Sequence, residues 1–276
     1  MRRHIRHSTL AAAATFIPLM ANLLRTAKSG SDWTAHELEA YHIIVVPQSK
    51  VEFFGTTDFP DPTDPSLVGF ITNETWRTAK DKRTKQLIRH LDYAMDPKIG
   101  KEAAVDDFVA VLLRNLAYDR DGIILSRHVL PLLICGQSSV AQTDICFVDD
   151  EDTVLLVQEN KRLGSTKDPE PQVIAEAIAA FETNNSKLEC DLHRPPRELI
   201  AFPAMTMVGT TPMFYKVPVT SSLSKAVQTG TYPELETRVL RYTPSLPRGN
   251  SKGMSPLPNR LEALRCLEAF KSLLGS

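Results

Sequence analysis

Two apolar runs with strand character, Gln142–Val148 and Val154–Glu159, are separated only by the acidic residues Asp149–Asp152. Val, Ile, Leu and Phe dominate both runs, as in strands that are buried within a sheet. So short and polar a connection predicts an antiparallel hairpin. If the turn centres on Asp150–Glu151, Asp144 falls opposite or diagonal to Glu159. Facing residues on paired strands are close enough for their side chains to interact. Alternation along the second strand puts Glu159 and Lys161 on one side, provided the strand persists through both.

Two carboxylates and an amine gathered at one place suggest a definite chemistry. Hard oxygen ligands with coordination positions left open suit Mg²⁺ or Mn²⁺. Such an ion polarises a phosphoryl oxygen and makes a bound water easier to deprotonate. Lys161 would orient the nucleophile or offset developing charge. Glu-x-Lys alone is common at strand ends, and ion-pair networks mimic functional sites, so a structural salt bridge explains the same residues. The context gives the pattern its weight.

That context is a helix on either side of the strands. Glu102, Val105, Val109, Leu112 and Leu116 recur at spacings of three and four, which predicts an amphipathic helix with Glu102 at the head of its apolar stripe. Glu102 is therefore a third candidate metal ligand, although an acid at a helix N-terminus is also stabilised there without any metal. Asp168-Pro-Glu-Pro171 opens a second helix, with proline in its first turn, and Val173, Ile174, Ala177, Ile178 and Phe181 form its apolar face. A strand over His128–Cys135 precedes the hairpin, and strands over Leu199–Val208 and Met213–Val219 follow the second helix. Pro218 places the last of these at a sheet edge, because proline cannot donate to a ladder. Helix, three strands, helix and strand imply an α/β fold with a central mixed sheet covered by helices.

Outside this region the pattern is weaker. Thr34 with Glu37 makes a capping box, and ordered structure is expected to begin there. Short strands are expected over His42–Val46 and Val51–Phe54, and a helix through Leu87, Ile88 and Leu91. The basic run near Lys80–Lys85 reads as a solvated helix face. Residues 242–258, rich in Pro, Gly and Ser, read as a flexible linker to a last helix from Asn259.

The net charge of −1 argues against a strongly basic nucleic-acid binder, so contact with phosphates must come from a local surface. The four cysteines show neither zinc-ligand spacing nor a disulfide framework, which fits a reducing compartment, nuclear or cytoplasmic. The acid-free, Arg-bearing residues 1–31 could serve as a mitochondrial presequence, a secretory signal or a surface helix. Their apolar stretch is short for a membrane span.

With Asp144, Glu159-Asn-Lys161 and this element order in view, the chain resembles the PD-(D/E)XK (restriction-endonuclease-like) nuclease superfamily across residues 100–219. The resemblance implies an αβββαβ core, metal bound by Asp144 and Glu159, and Lys161 assisting the nucleophile. It adds Gln172, which is similar to a glutamine that some members use near substrate or metal. Thr143 stands where the superfamily's name has proline. Over the stretches Val154–Lys161, Asp168–Phe181 and Met207–Val219 the chain also resembles an uncharacterised group of fungal proteins with the same core. The implied organisation is an N-terminal extension (1–31), a nuclease-like domain (32–241), a linker (242–258) and a C-terminal helix (259–276). The implied function is metal-dependent phosphodiester hydrolysis of nucleic acid, DNA before RNA. The alternative is a nuclease fold without catalysis that acts as a binding module.

Overall fold

The computed structural model describes residues 23–96, 103–149, 153–160 and 168–275. Their helices are α1 (Ala35–Ala40), α2 (Lys50–Phe54), α3 (Pro65–Thr72), α4 (Lys82–Ala94), α5 (Ala104–Asn115), α6 (Glu170–Cys190), α7 (Ser221–Thr229) and α8 (Leu257–Lys271). The strands are β1 (Ile43–Pro47), β2 (Ile123–Ile134), β3 (Gln137–Val148), β4 (Thr153–Asn160), β5 (Leu199–Val208), β6 (Thr211–Thr220) and β7 (Thr237–Tyr242). They form one mixed sheet in the order β1-β7-β6-β5-β4-β3-β2.

From α5 onward the order is helix, three antiparallel strands, helix and strand. The strand after α6 lies parallel to β4, because a crossover helix returns the chain to the same end of the sheet. The long α6 buries Val173, Ile174, Ala177, Ile178 and Phe181 against one sheet face, where α1 and α7 join it. On the other face α2, α3, α4, α5 and α8 build a second core around Phe70, Phe108, Leu113, Phe214 and Phe270. Interior strands covered on both sides are apolar on both sides, which is why β5 and β6 are buried almost throughout. Among the described residues no helix is long and apolar enough to cross a membrane.

Several expectations change. Val51–Phe54 lies in a helix, not a strand. Ser49 and Glu52 form a second capping box, with the Ser49 N–H donating to Glu52 Oε2 at 2.7 Å, and this overrides the β propensity of Val51 and Phe53. Asp64 caps the unanticipated α3 by accepting from the Ser66 and Leu67 amides. Ordered contacts begin well before Thr34. Arg25 donates to Ala40 O, Lys28 pairs with Glu37, and a Cβ on Gly30 would stand 2.8 Å from that of Ala141. Only a residue without a side chain lets this turn approach the sheet so closely.

Strand β6 is interior, not an edge. Its ladder with β7 covers only Phe214–Lys216, so Pro218 lies beyond the point where a donor toward β7 is needed. The unforeseen β7 lies beside β6, and β1 outside it forms that edge of the sheet. Residues 242–258 are a packed segment and not a free linker. Leu246 and Met254 are buried, Leu246 N–H donates to Asn250 Oδ1, and Met254 N–H donates to Thr210 Oγ1. The last helix, α8, is part of the core through Leu264, Leu267 and Phe270.

Candidate functional site

The β2–β3 ribbon contains an irregularity at the candidate site. Ala141 and Cys146 both pack into the α6-side core, although five positions apart they should face opposite sides of a regular strand. Ile145 and Phe147 pack on the α5 side. In β2, Leu125 and Leu130 repeat this behaviour on the α6 side. Register is unchanged across the irregularity, with Ser126 paired to Ile145 and His128 to Thr143. Both strands therefore change phase at one level, the level of Arg127 and Asp144. Arg127 adopts φ 53°, a left-handed conformation that costs a non-glycine residue about 1 kcal/mol or more. Thr143 Oγ1 donates to Ile145 O at 2.7 Å, bridging over Asp144. Backbone strain of this kind concentrates at functional sites. Here it takes Asp144, half-buried, out of the plain alternation.

Strand β4 brings Glu159 to the same end. Ile145 pairs with Val157, and extending that register sets Asp144 across from Gln158 and one step from Glu159. On the other side Glu159 is the partner of Met207, and Asn160 of Val208. The backbone positions of Asp144 and Glu159 are thus brought together as the hairpin requires. The side chain of Glu159, together with Lys161 and Glu102, lies outside the described residues.

Helix α6 supplies the neighbouring polar groups. Gln172 is half-buried, and its Nε2 donates to Glu176 Oε1 at 3.4 Å. Glu176 is wholly buried, and its Oε2 has no hydrogen-bond partner. Burial holds the Glu176 carboxyl well above the usual range, and the nearby Asp144 charge raises it further. Gln172 and the Thr143 hydroxyl oppose the shift. Cys146, on the same side of β3, is pushed up to about 12 by burial and by Glu176. Among the described residues, none of the groups acting on Glu176 is cationic.

A second polar chain anchors the start of α6. Glu170 is nearly buried, which raises its carboxyl, while Arg241 from β7 opposes that shift from 2.8 Å. Tyr215 on β6 also hydrogen-bonds Glu170, and its hydroxyl lies 3.4 Å from Thr206 Oγ1 on β5. These groups run across the sheet from β7 toward β4 and hold the first turn of α6, where Gln172 begins.

Glu176 was missed in the sequence because it sits inside a run from Val173 to Phe181 that is buried on every side. An apolar-stripe reading assigns faces, and this helix has no solvent face there. The signal that could have found it is the i, i+4 spacing from Gln172, which puts both on one face of the helix. Several basic residues of the C-terminal third are tied into the fold. Arg241 pairs with Glu170, Arg265 with Asp61, and Lys271 with Glu268. Arg260 is buried and donates to the carbonyls of Phe70, Asn73 and Met254.

Among the described residues, no group of three or more His, Cys, Asp or Glu side chains stands in metal-holding geometry. No protein-family model matches the chain, and no curated protein matches it.

Proposed function

We propose that this chain is a metal-dependent phosphodiester hydrolase with a restriction-endonuclease-like core, acting on nucleic acid, DNA before RNA. The observation that carries the reading is the phase change at Asp144. A half-buried carboxylate, across from the left-handed Arg127, lies beside the β4 position of Glu159, in an α5-β2-β3-β4-α6-β5 frame whose β4 and β5 are parallel. Hard carboxylate oxygens suit Mg²⁺ or Mn²⁺. The unpartnered buried oxygen of Glu176 beside Asp144 supports an environment built to receive positive charge.

Asp144 and Glu159 would hold the ion, and Glu102 would stand at the head of the facing helix. The ion would supply Lewis acidity toward the phosphoryl oxygen and lower the pKa of water. Lys161, two residues beyond Glu159, would orient the attacking water and offset charge on the phosphate. Gln172, held against Glu176, would present its amide toward the same space.

The chain's net charge is −1, yet the stretch from Trp76 to Met95 carries six Lys or Arg residues against Asp81 and Asp92. Arg77, Lys80, Lys82, Arg83 and Arg89 are exposed, and the Arg89 guanidinium lies 4.2 Å from the centre of the Trp76 ring. The end of α4 reaches the β5–β6 turn, where Thr210 Oγ1 meets Met95 Sδ at 3.1 Å. That turn follows Val208, the partner of Asn160. The basic helix therefore ends at the candidate site's end of the sheet, where it could track a phosphate backbone.

The test is cleavage of labelled single- and double-stranded DNA and RNA with Mg²⁺ or Mn²⁺. Wild type should cut, and D144A, E159A and K161A should each lose about a hundredfold or more, as expected when charge stabilisation is removed. A folded wild type that cuts none of the four substrates would favour the non-catalytic reading of the fold.

A further inference from the structure

We infer that Glu176 of α6 is a further carboxylate of the cation site, sharing the bound divalent ion with Asp144 from the opposite side. The inference rests on the site reading above and extends it from the β3–β4 hairpin to the helix that crosses the sheet.

Three observations carry it. The first is burial without a counter-charge among the described groups and with one oxygen unpartnered. A carboxylate removed from water normally has its oxygens hydrogen-bonded or its charge paired, because an isolated buried charge is very costly. Glu176 is wholly buried, its Oε1 has a long contact from Gln172, the Thr143 hydroxyl also acts on the carboxyl, and its Oε2 has no hydrogen-bond partner. The second is company. The charged group acting on it is Asp144, another carboxylate, and none of the described groups acting on it is a cation. Glu176 is the buried member of the two and Asp144 the half-buried one, and a shared divalent ion would turn the repulsion that Asp144 exerts on Glu176 into attraction. The third is the backbone. Both strands of the β2–β3 ribbon change phase at the level of Asp144, with Arg127 held left-handed across from it. Close by, the Thr143 hydroxyl is tied to Ile145 O. The frame thus spends backbone strain at the place where the two acids meet.

A structural carboxylate would look different. Glu170, one helical turn and a half earlier, is buried too, but it has Arg241 at 2.8 Å and Tyr215 beside it. Glu182, later on the same helix, accepts from Leu133 N–H, Ser224 and Gln228. Glu176 alone of these three has an oxygen left over.

The experiment is calorimetric titration of the full chain with Mn²⁺, for wild type, E176Q, D144N and E159Q, together with thermal midpoints with and without the ion. E176Q preserves shape and removes the charge, so it should weaken Mn²⁺ binding by about tenfold or more, the scale on which groups around a metal act. Its metal-free midpoint should equal or exceed that of wild type, while the gain on adding Mn²⁺ should shrink. D144N gives an independent reading, because it should lose Mn²⁺ binding together with the gain in midpoint on adding the ion. E176Q that binds Mn²⁺ like wild type, while D144N and E159Q do not, would overturn the role of Glu176 and leave the hairpin site standing. D144N that binds Mn²⁺ like wild type would overturn the pairing of the two acids on one ion. Wild type that binds no Mn²⁺, alone or with duplex DNA, would overturn the site itself and this inference with it.

Discussion

Replacing Arg241 by Met should loosen the helix on which Gln172 and Glu176 are mounted. Arg241 reaches Glu170 at 2.8 Å, with the Glu170 side chain 10% exposed and that of Arg241 32% exposed. Exposed pairs contribute about 0–1 kcal/mol, and breaking a buried pair costs about 3–5 kcal/mol. A pair with one partner nearly buried and the other a third exposed falls between, so R241M should cost about 2 kcal/mol at neutral pH. For a chain of 276 residues that is a drop of about 3–4 °C in melting midpoint. Its pH dependence identifies the cause. Burial raises the Glu170 carboxyl above its unfolded value of 4.5, against the pull of Arg241. The folded state thus binds this proton more tightly than the unfolded chain, and the carboxyl costs stability as pH rises from about 4.5 through its folded pKa. Without Arg241 the folded pKa rises further. The difference between wild type and R241M should therefore be small near pH 4, where Glu170 is neutral in both, and grow toward pH 8. Calorimetric midpoints across that range measure it, and E170Q/R241M should recover at least half the loss. A loss independent of pH, or no recovery in the double variant, would refute the ion-pair account and assign the effect to packing.

Arg260 is buried, donates to several backbone carbonyls joining α8 to the end of α3, and is lowered to about 10 by burial. R260M should cost about 3–5 kcal/mol in urea unfolding, and R260K should recover less than half, because an ammonium lacks the planar fork of donors. A Cβ on Gly122 would stand 2.4 Å from Val148 O, a backbone atom held in the β2–β3 ladder. G122A should therefore destabilise by about 1–3 kcal/mol, read from the urea midpoint, and an unchanged midpoint would show that the ladder yields there. K80E/K82E/R83E should weaken duplex DNA binding and flatten its salt dependence, since each phosphate contact adds to that slope. An unchanged salt slope would place the phosphate path elsewhere.

The central motif was legible because local rules and tertiary pairing agree there. Two apolar strands joined by four acidic residues can pair in few ways, and the hairpin register follows within one residue. The helices α5 and α6 show in their apolar spacing for the same reason. Other features depend on partners far along the chain. Pro218 suggests an edge until the short β6–β7 ladder is known, and β7 itself is six residues of mixed character, recruited by its pairing with β1 and β6. Residues 242–258 have the composition of a linker, but Asn250, Asn259 and Thr210 satisfy their backbone and draw Leu246 and Met254 inward. Within the site, Asp144 could be found from its position in the hairpin. The phase change that sets it apart could not, because it arises in two strands at once and leaves the register intact. Glu176 was hidden by the complete burial of its helix.

The most direct test of the central claim is Mn²⁺ binding and duplex DNA cleavage by wild type and D144A, each first shown to be folded. The account predicts that wild type binds the ion and cuts, and that D144A does neither. Cleavage retained in D144A, or no binding and no cleavage by wild type, would contradict it.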